Sequence, residues 1–308
     1  MARRALATAA ALAVIAACAG CSLGAGAGKG DVTLRITEGF GSRTVRTVTA
    51  ARVPGSETVL RMLRHSFTVQ TRNPSGIVES IDGQSAAGDQ SWFYSVNGVQ
   101  ANPGSAATTT VHQGDSIWWD LHDGQATDSI PAVVGSYPEP FLNGLGGKRY
   151  PTTLECGSGL KAACKAATAA LNAVHIPVSS QLIGTGSGPD TLGVVVGTWP
   201  QVRPELAAEL IQHGPGAGGV YARFAGPDGD ALQLLGPSGE VVRTLGAGAG
   251  LVAATADPSE VPTWLITGTD PAGVLAAAKA LTPQALHNHL ALAVDGQQQV
   301  PLPAQPSS

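Results

Sequence analysis

The sequence is poor in charged residues and contains no cluster of basic ones. Charged residues make up 13% of its 308 positions, about half the share that is usual in soluble proteins. The formal net charge is −4, so the chain lacks the basic surface on which nucleic-acid binding depends. Aromatic residues make up only 5% and there are two methionines. These shortages disfavour nucleic-acid partners but do not define a function.

Glycine and proline are abundant, but they stay below the share that marks a disordered chain. There are 40 glycines and 21 prolines, whereas Pro/Gly-rich disordered segments exceed roughly 25–30%. With 43% hydrophobic residues the chain is able to bury a core. Its length allows roughly two domains. We therefore expect two globular domains with short elements and many turns.

The N-terminal residues have the organisation of an export signal. Arg3 and Arg4 carry positive charge, and an uncharged, mostly apolar stretch follows at residues 5–17. That stretch is shorter than the roughly 20 residues of a membrane-spanning helix, but it matches the apolar region of a secretory signal. The sequence therefore predicts an extracytoplasmic location.

A small-residue site with a cysteine follows this stretch. Residues 15–18 read Ile-Ala-Ala-Cys and resemble the lipobox of bacterial lipoproteins, in which the cysteine thiol receives diacylglycerol and becomes the mature N-terminus. This resemblance implies a signal peptide at residues 1–18, a lipid anchor on Cys18 and a Gly/Ala tether at residues 19–30. Cys21 is the alternative lipidation site, and a secretory signal without lipidation is a third interpretation. Stable anchoring takes more than one acyl chain, such as palmitate.

The other two cysteines fit an exported protein. Cys156 and Cys164 lie eight residues apart, where a strand-like run meets a helix-like run. An even pair of cysteines in an oxidising compartment predicts a disulfide. A metal site is the weaker interpretation, because two thiols with no nearby histidine do not complete a zinc site.

Residues 31–124 are predicted to form the first domain. Residues 31–37 alternate between apolar and polar side chains, which predicts a half-buried strand, and residues 44–53 predict a second one. A helix capped by Ser56 follows. A strand rich in aromatic residues and ending in an Asn-Gly turn comes next, and residues 111–121 predict a last strand.

Two spaced motifs in this region resemble those of a small bacterial surface domain of unknown function that is related to the C-terminal domain of transcobalamin and intrinsic factor. The residues that carry the resemblance are Trp92, Tyr94, Val96, Asn97, Gly98, Val111, Gly114, Asp115, Ile117 and Trp119. The resemblance implies a β-grasp-like fold, in which a twisted sheet packs on one helix. It also implies a cobalamin-like ligand, because the eukaryotic relatives close over one face of cobalamin.

The candidate ligand-binding residues are those of the aromatic strands. Trp118 and Trp119 must point to opposite faces of their strand, so one is expected in the core and the other on an outer, ligand-facing surface. Trp92, Tyr94 and Asn97 are further candidates, with filling of a small core as the alternative for the aromatic ones. His122 is either an axial ligand of cobalt or part of a solvated loop.

Residues 130–295 are predicted to form a second, α/β domain of mixed sheet with about three helices, so that the fold class of the whole chain is α+β. Residues 130–134 and the apolar run at 191–196 predict strands. Asp270 and Pro271 predict the start of a helix. Residues 296–308 are predicted to be a disordered tail.

No catalytic motif is present in the sequence, so we expect a binding protein rather than an enzyme, with a hydrolase as a minor alternative. The first hypothesis is a lipid-anchored lipoprotein of the cell envelope that binds a small ligand for uptake, with a membrane transporter as partner. The second is a structural or protein-interaction module without a small ligand. A cavity flanked by aromatic residues between the two domains would favour the first, and a filled junction would favour the second. His287 and His289 form an isolated His-x-His pair, too little to predict a metal site.

Overall fold

The structure is a computed structural model that describes residues 30–72, 76–257 and 260–305. The predicted signal peptide, with Cys18 and Cys21, lies outside the described residues, as does the tether up to residue 29. None of the helices in the described ranges has the length and apolar character needed to cross a membrane.

The N-terminal lobe, residues 30–124, is a mixed sheet packed on one helix. Its strands and helix are β1 (Val32–Glu38), β2 (Arg43–Ala50), α1 (Val59–Ser66), β3 (Val69–Thr71), β4 (Val78–Ile81), β5 (Gln84–Ser85), β6 (Gln90–Val96), β7 (Val99–Gln100) and β8 (Ser116–Asp123). The main sheet has the strand order β2-β1-β8-β6-β7, and the central pair β1 and β8 is parallel. Strands β3, β4 and β5 form a small second sheet. This is the β-grasp-like arrangement that the sequence predicts.

One face of the main sheet is covered by α1. The helix is amphipathic, because its apolar residues recur on one side, and it buries Val59, Leu60, Met62 and Leu63. They pack against the side chains that β1, β6 and β8 direct to the same face. Alternation along β1 places Val32, Leu34 and Ile36 in this core.

Helix α1 begins two residues later than predicted. The hydroxyl of Thr58, not that of Ser56, accepts a hydrogen bond from the Arg61 backbone N–H at 3.3 Å. Ser56 lies in the preceding turn, where the Glu57 N–H donates to the Pro54 carbonyl at 2.9 Å. The prediction of a Ser56 cap is therefore wrong.

The C-terminal lobe, residues 130–305, is built on a seven-stranded mixed sheet. Its elements are β9 (Thr152–Cys156), α2 (Lys161–Ala173), β10 (Val178–Leu182), β11 (Leu192–Thr198), α3 (Trp199–Val202), α4 (Leu206–Gln212), α5 (Pro215–Gly218), β12 (Ala222–Ala225), β13 (Ala231–Leu235), β14 (Val241–Leu245), β15 (Ala249–Thr255), β16 (Thr263–Gly268), α6 (Pro271–Lys279), α7 (Pro283–Leu286), β17 (Ala291–Asp295) and β18 (Gln298–Leu302). The strand order is β10-β9-β11-β16-β15-β17-β18, and β10, β9, β11 and β16 are parallel to one another.

Both faces of this sheet are covered, which is why its central strands β11, β15 and β16 are largely apolar. Helices α2 and α6 pack on one face, against side chains such as Val194, Val196 and Trp264. On the other face, Val195 and Leu265 pack with α3, α4 and the three-stranded sheet β12-β13-β14. Three helices in the described part of this lobe, α2, α4 and α6, have seven residues or more. The predicted α+β fold class is confirmed.

Two segments differ from their predicted structure. Residues 130–134 do not form a strand, because neighbouring N–H groups bond to separate elements: that of Val133 to the Gly98 carbonyl at 2.8 Å and that of Val134 to the Leu290 carbonyl at 3.1 Å. Residues 298–302 of the predicted disordered tail form β18, which pairs with β17. The side chains of this Gln-rich segment are mostly exposed, so its sequence does not show the alternation of apolar and polar residues that predicts a strand.

The predicted disulfide between Cys156 and Cys164 is confirmed, with a Cα–Cα distance of 6.0 Å. It joins the last residue of β9 to the beginning of α2. The crosslink therefore fixes the helix to the parallel half of the sheet.

Candidate functional site

Three of the candidate ligand-binding residues lie in the core of the N-terminal lobe. Trp92, Tyr94 and Trp119 are buried against α1. Tyr94 stacks on Trp119 with 4.6 Å between ring centroids. The Tyr94 hydroxyl lies 2.7 Å from Ser105 Oγ and 2.9 Å from Thr109 Oγ1. These aromatic residues therefore fill the core of the lobe, which is the alternative interpretation, and they do not form a surface for a ligand.

Trp118 points to the opposite face of β8, as strand alternation predicts, but that face is not exposed. The C-terminal lobe covers it, and Trp118 is only 4% accessible to solvent. The indole packs with Ile130, Val133 and Leu290, and its Nε1–H donates to Thr37 Oγ1 at 2.6 Å. The prediction of an outward-facing tryptophan is wrong, because a second lobe occupies the space that a ligand would need.

Asn97 connects the two motifs of the N-terminal lobe. Its Oδ1 accepts from the Ser116 N–H at 2.8 Å, and its Nδ2 donates to Asp115 Oδ1 at 2.8 Å and to the Gly144 carbonyl at 2.7 Å. The residue is fully buried and has a positive φ of 53°, a conformation that asparagine tolerates better than most residues. Its polar groups are all used in holding turns together, so it is not available to a ligand.

Asp120 and His122 form a buried pair at the junction of the lobes. Asp120 Oδ2 lies 2.7 Å from His122 Nδ1, and the same carboxylate accepts from the N–H groups of Phe40 and Gly41 at 2.9 Å. The imidazole is stacked between Phe40 and Phe93, with centroid distances of 4.4 and 4.2 Å. His122 therefore belongs neither to a solvated loop nor to an open ligand site. Its Nε2 is buried without a hydrogen-bond partner among the described residues.

Arg35 is the main polar link between the lobes, and the sequence analysis missed it. From β1 its guanidinium donates to Asn288 Oδ1 at 2.9 Å and to the Gly135 carbonyl at 3.0 Å, and it lies 3.2 Å from His287 Nδ1. No carboxylate pairs with it in the described part of the chain. Burial lowers the pKa of Arg35 to about 10, still far above neutral pH, so the link carries a positive charge.

At the outer edge of the junction, grooves of about 390 and 620 Å³ are lined by residues of both lobes, whereas the interior beside Phe93, Trp118 and His122 contains a crevice of only about 30 Å³. This volume matches a single water molecule. The groove of about 390 Å³ is lined by Arg35, Glu139 and His287 among others. Burial raises the pKa of Glu139 to about 7, although hydrogen bonds from Asn143 oppose the shift.

A separate cavity of about 170 Å³ lies within the C-terminal lobe, between the seven-stranded sheet and the start of α4. We call it the acidic cavity. Its polar lining consists of Glu155, Ser187, Glu205, Thr255, Asp257, Glu260 and Thr263. Among the described residues that line it, none is a lysine, an arginine or a histidine. The sequence analysis missed this site because its four carboxylates come from three separate segments and form no motif.

The described residues include no group of three or more histidine, cysteine, aspartate or glutamate side chains placed to hold a metal ion. Burial lowers the pKa of His287, and the charge of the adjacent Arg35 guanidinium lowers it further. A positive neighbour opposes the binding of a cation at His287, so this part of the His-x-His pair is unsuited to a metal.

Residues 56–123 match the family model of a domain of unknown function, DUF4430. The match covers most of the N-terminal lobe and none of the C-terminal lobe. It includes both aromatic motifs and α1, so it agrees with the resemblance to a bacterial domain of unknown function. This match does not confirm the relation to transcobalamin.

No curated protein matches the chain. Among solved structures, a "putative metal binding protein" from Ruminococcus gnavus ATCC 29149 is similar to part of it, with 18% sequence identity and a TM-score of 0.25. The similarity covers 31% of this chain and 99% of that protein. At this level it carries no argument about function.

Proposed function

We propose that this chain is a lipoprotein of the extracytoplasmic face of the cell membrane, held there by acyl chains on Cys18. The Arg3-Arg4 start, the apolar stretch and the lipobox-like residues 15–18 support this proposal. The disulfide between Cys156 and Cys164 supports it independently, because structural disulfides persist mainly in oxidising compartments. Cys21 remains the alternative site of lipidation.

The part of the protein beyond the anchor acts as a rigid binding module rather than an enzyme. The observation that carries this proposal is the filled interior of the junction, in which Trp118 packs against the C-terminal lobe and Arg35 bonds to Asn288 and Gly135. Such contacts hold the two lobes in one arrangement. The paired Asp120 and His122 are enclosed by Phe40 and Phe93, so a substrate has no access to them.

Binding of a cobalamin-like ligand between the lobes is not the function that the geometry supports best. Ligand sites for drug-sized molecules and cofactors usually measure about 300–1,000 Å³, and the crevice beside the candidate residues Trp118 and His122 has about 30 Å³. The groove of about 390 Å³ has a sufficient volume, but none of the candidate ligand-binding residues lines it. In this proposal the N-terminal lobe shares the fold of the transcobalamin domain but does not bind the ligand of transcobalamin. An envelope module that presents the surfaces of two joined lobes is favoured. Binding of a smaller ligand for uptake is the second candidate, supported by the acidic cavity.

The ligand side of this proposal is tested by adding cobalamin to the detergent-solubilised mature protein and recording the visible absorption spectrum. We expect no spectral change and no cobalamin retained after gel filtration. A spectral change that disappears in His122→Ala would establish a corrinoid site and reject the filled interior of the junction. Mass spectrometry of small molecules that co-purify with the protein would identify any other ligand.

The anchoring side is tested by cell fractionation of two variants. Cys18→Ala should release the protein from the membrane fraction, because the acylated thiol is lost. Cys21→Ala is the matched control and should remain in the membrane fraction. The opposite result would move the anchor to Cys21, and an unprocessed cytosolic protein in both variants would reject the proposal.

A further inference from the structure

Glu155 is a buried carboxylate that lacks a cationic partner. It lies on β9, only 2% exposed, and lines the acidic cavity. Its Oε1 accepts from Ser187 Oγ at 2.9 Å and from Gln181 Nε2 at 3.3 Å. Its Oε2 has no hydrogen-bond partner among the described residues. An unpaired acceptor at such depth is costly unless something binds to it.

Glu205 adds a second acidic group to the same cavity. It is the N-cap residue of α4 and is half-buried. Burial raises the pKa of Glu205, and the nearby negative charge of Glu155 raises it further. Neither glutamate takes part in an ion pair within the described ranges. The two carboxylates therefore repel each other in a space that no basic side chain lines, and a cationic ligand would relieve this repulsion.

The rest of the lining is suited to a ligand with an apolar part. Val195, Ala207, Leu210 and Val261 line the cavity together with the acidic residues. At roughly 30 Å³ for each water-sized group, a volume of about 170 Å³ holds about five or six non-hydrogen atoms. This is more room than a single ion fills, and it matches a short chain of methylene groups with one charged end.

We propose that the acidic cavity binds the ammonium group of a small primary alkylamine, with Glu155 and Glu205 as the acceptors and the apolar wall in contact with the alkyl chain. An ammonium group has three donors and no acceptor, so the unpaired Glu155 Oε2 and the hydroxyls of Ser187 and Thr255 are its complement. A divalent metal is the less suitable cation, because Ca²⁺ takes six to eight oxygen ligands and no cluster of three ligating side chains exists in the described structure.

This inference rests on the second candidate under the proposed function, since it supplies the small ligand that an extracytoplasmic protein would bind for uptake. The probes are n-butylammonium chloride, the neutral alcohol 1-pentanol and CaCl₂. Each is titrated into the detergent-solubilised mature protein at low salt, and the amide resonances of Ser187 and Thr255 are followed by NMR. We expect saturable shifts with n-butylammonium at millimolar concentration, much smaller shifts with 1-pentanol, and no competition by Ca²⁺.

Three glutamate variants distinguish the site from a general effect of negative charge. Glu155→Gln should weaken n-butylammonium binding about 10- to 100-fold, the value of one hydrogen bond to a charged group. Glu205→Gln, at a half-buried position whose side chain makes no cap hydrogen bond, should weaken it less. Glu209→Gln is the control, because Glu209 lies on the same helix, is exposed and does not line the cavity; binding should be unchanged.

Several outcomes would overturn the inference. These are absence of n-butylammonium binding, equal binding by wild type and Glu155→Gln, equal shifts with 1-pentanol, and tighter binding of Ca²⁺ at the same residues. A failed titration on a protein whose Cys18 is acylated would reject the amine site alone. Failure of the anchoring proposal would instead be seen in the mass of the N-terminus.

Discussion

Trp118 and Trp119 are neighbours on β8, yet their side chains lie in two different hydrophobic cores. Trp119 packs under α1 and stacks on Tyr94. Trp118 packs against the C-terminal lobe with Val133 and Leu290. One dipeptide therefore serves the stability of the N-terminal lobe and the attachment of the second lobe at the same time.

The two tryptophans should respond differently to truncation. Each change to alanine leaves a large cavity, for which a cost of about 3–5 kcal/mol is typical. In Trp118→Ala we expect the amides of Gln100 and Val133, which bond across the junction, to exchange hydrogen faster, whereas the amide of Tyr94 stays protected. Trp119→Ala should expose the Tyr94 amide. Hydrogen exchange measured by NMR checks this, and unchanged junction amides in Trp118→Ala would contradict the account.

Arg35 should be irreplaceable by lysine. Its planar guanidinium donates to groups on both sides of it, and a single ammonium nitrogen does not reproduce that geometry. We expect both Arg35→Lys and Arg35→Met to lower the free energy of unfolding by about 1–3 kcal/mol, because buried acceptors lose their donors. Urea denaturation measures this change. Arg52→Met is the control at an exposed position, and it should change the free energy of unfolding by less than about 0.5 kcal/mol. If Arg35→Lys left the free energy of unfolding unchanged, the Arg35 link would be dispensable for stability.

Local patterns predicted local structure well in this chain. Asp270 caps α6 as expected, since its Oδ1 accepts from the Gly273 N–H at 2.9 Å, and the alternation in β1 and the spacing of Cys156 and Cys164 also held. Such signals involve residues close in sequence. Period-2 alternation separates the faces of a strand, but it contains no information about which partner will cover each face, so the burial of Trp118 was not predictable.

The charged residues of the junction and of the acidic cavity were not predictable for the same reason. Arg35 and Glu155 are single charged residues in strands, and such residues usually face solvent. Arg35 is buried because the loop of Gly135 and the segment of Asn288 meet over it. Glu155 is buried because residues far along the chain close the acidic cavity. These contacts arise from tertiary structure, and no spacing in the sequence encodes them.

Glu139 should make stability depend on pH. Burial raises its pKa from 4.5 to about 7, so between these pH values the folded protein keeps a proton that the unfolded chain releases. Stability should therefore fall as pH rises from about 4.5 to about 7, with a slope of up to about 1.4 kcal/mol per pH unit from this group. Glu139→Gln should flatten the slope, as measured by urea denaturation across this range. Glu240→Gln, a control at an exposed position, should leave the slope unchanged. Equal slopes in the wild type and in both variants would contradict the prediction.

The disulfide should contribute measurably to thermal stability. Closing a loop of this length restricts the unfolded chain by about 2–3 kcal/mol, which corresponds to roughly 3–5 °C in Tm for a protein of this size. We expect a lower Tm after reduction and in the double variant Cys156→Ser/Cys164→Ser. The double variant should not respond further to a reductant. A wild-type Tm that is insensitive to complete reduction would show that the crosslink adds no stability.

The intact mass of the protein extracted from cell membranes tests the central claim most directly. The account predicts a chain that begins at Cys18 and carries diacylglycerol and further acyl mass on that residue, with Cys156 and Cys164 oxidised. Treatment with a reductant should add the mass of two hydrogens and leave the lipid in place. A full-length chain that still begins at Met1, bears no lipid and is recovered from the cytosol would contradict the account.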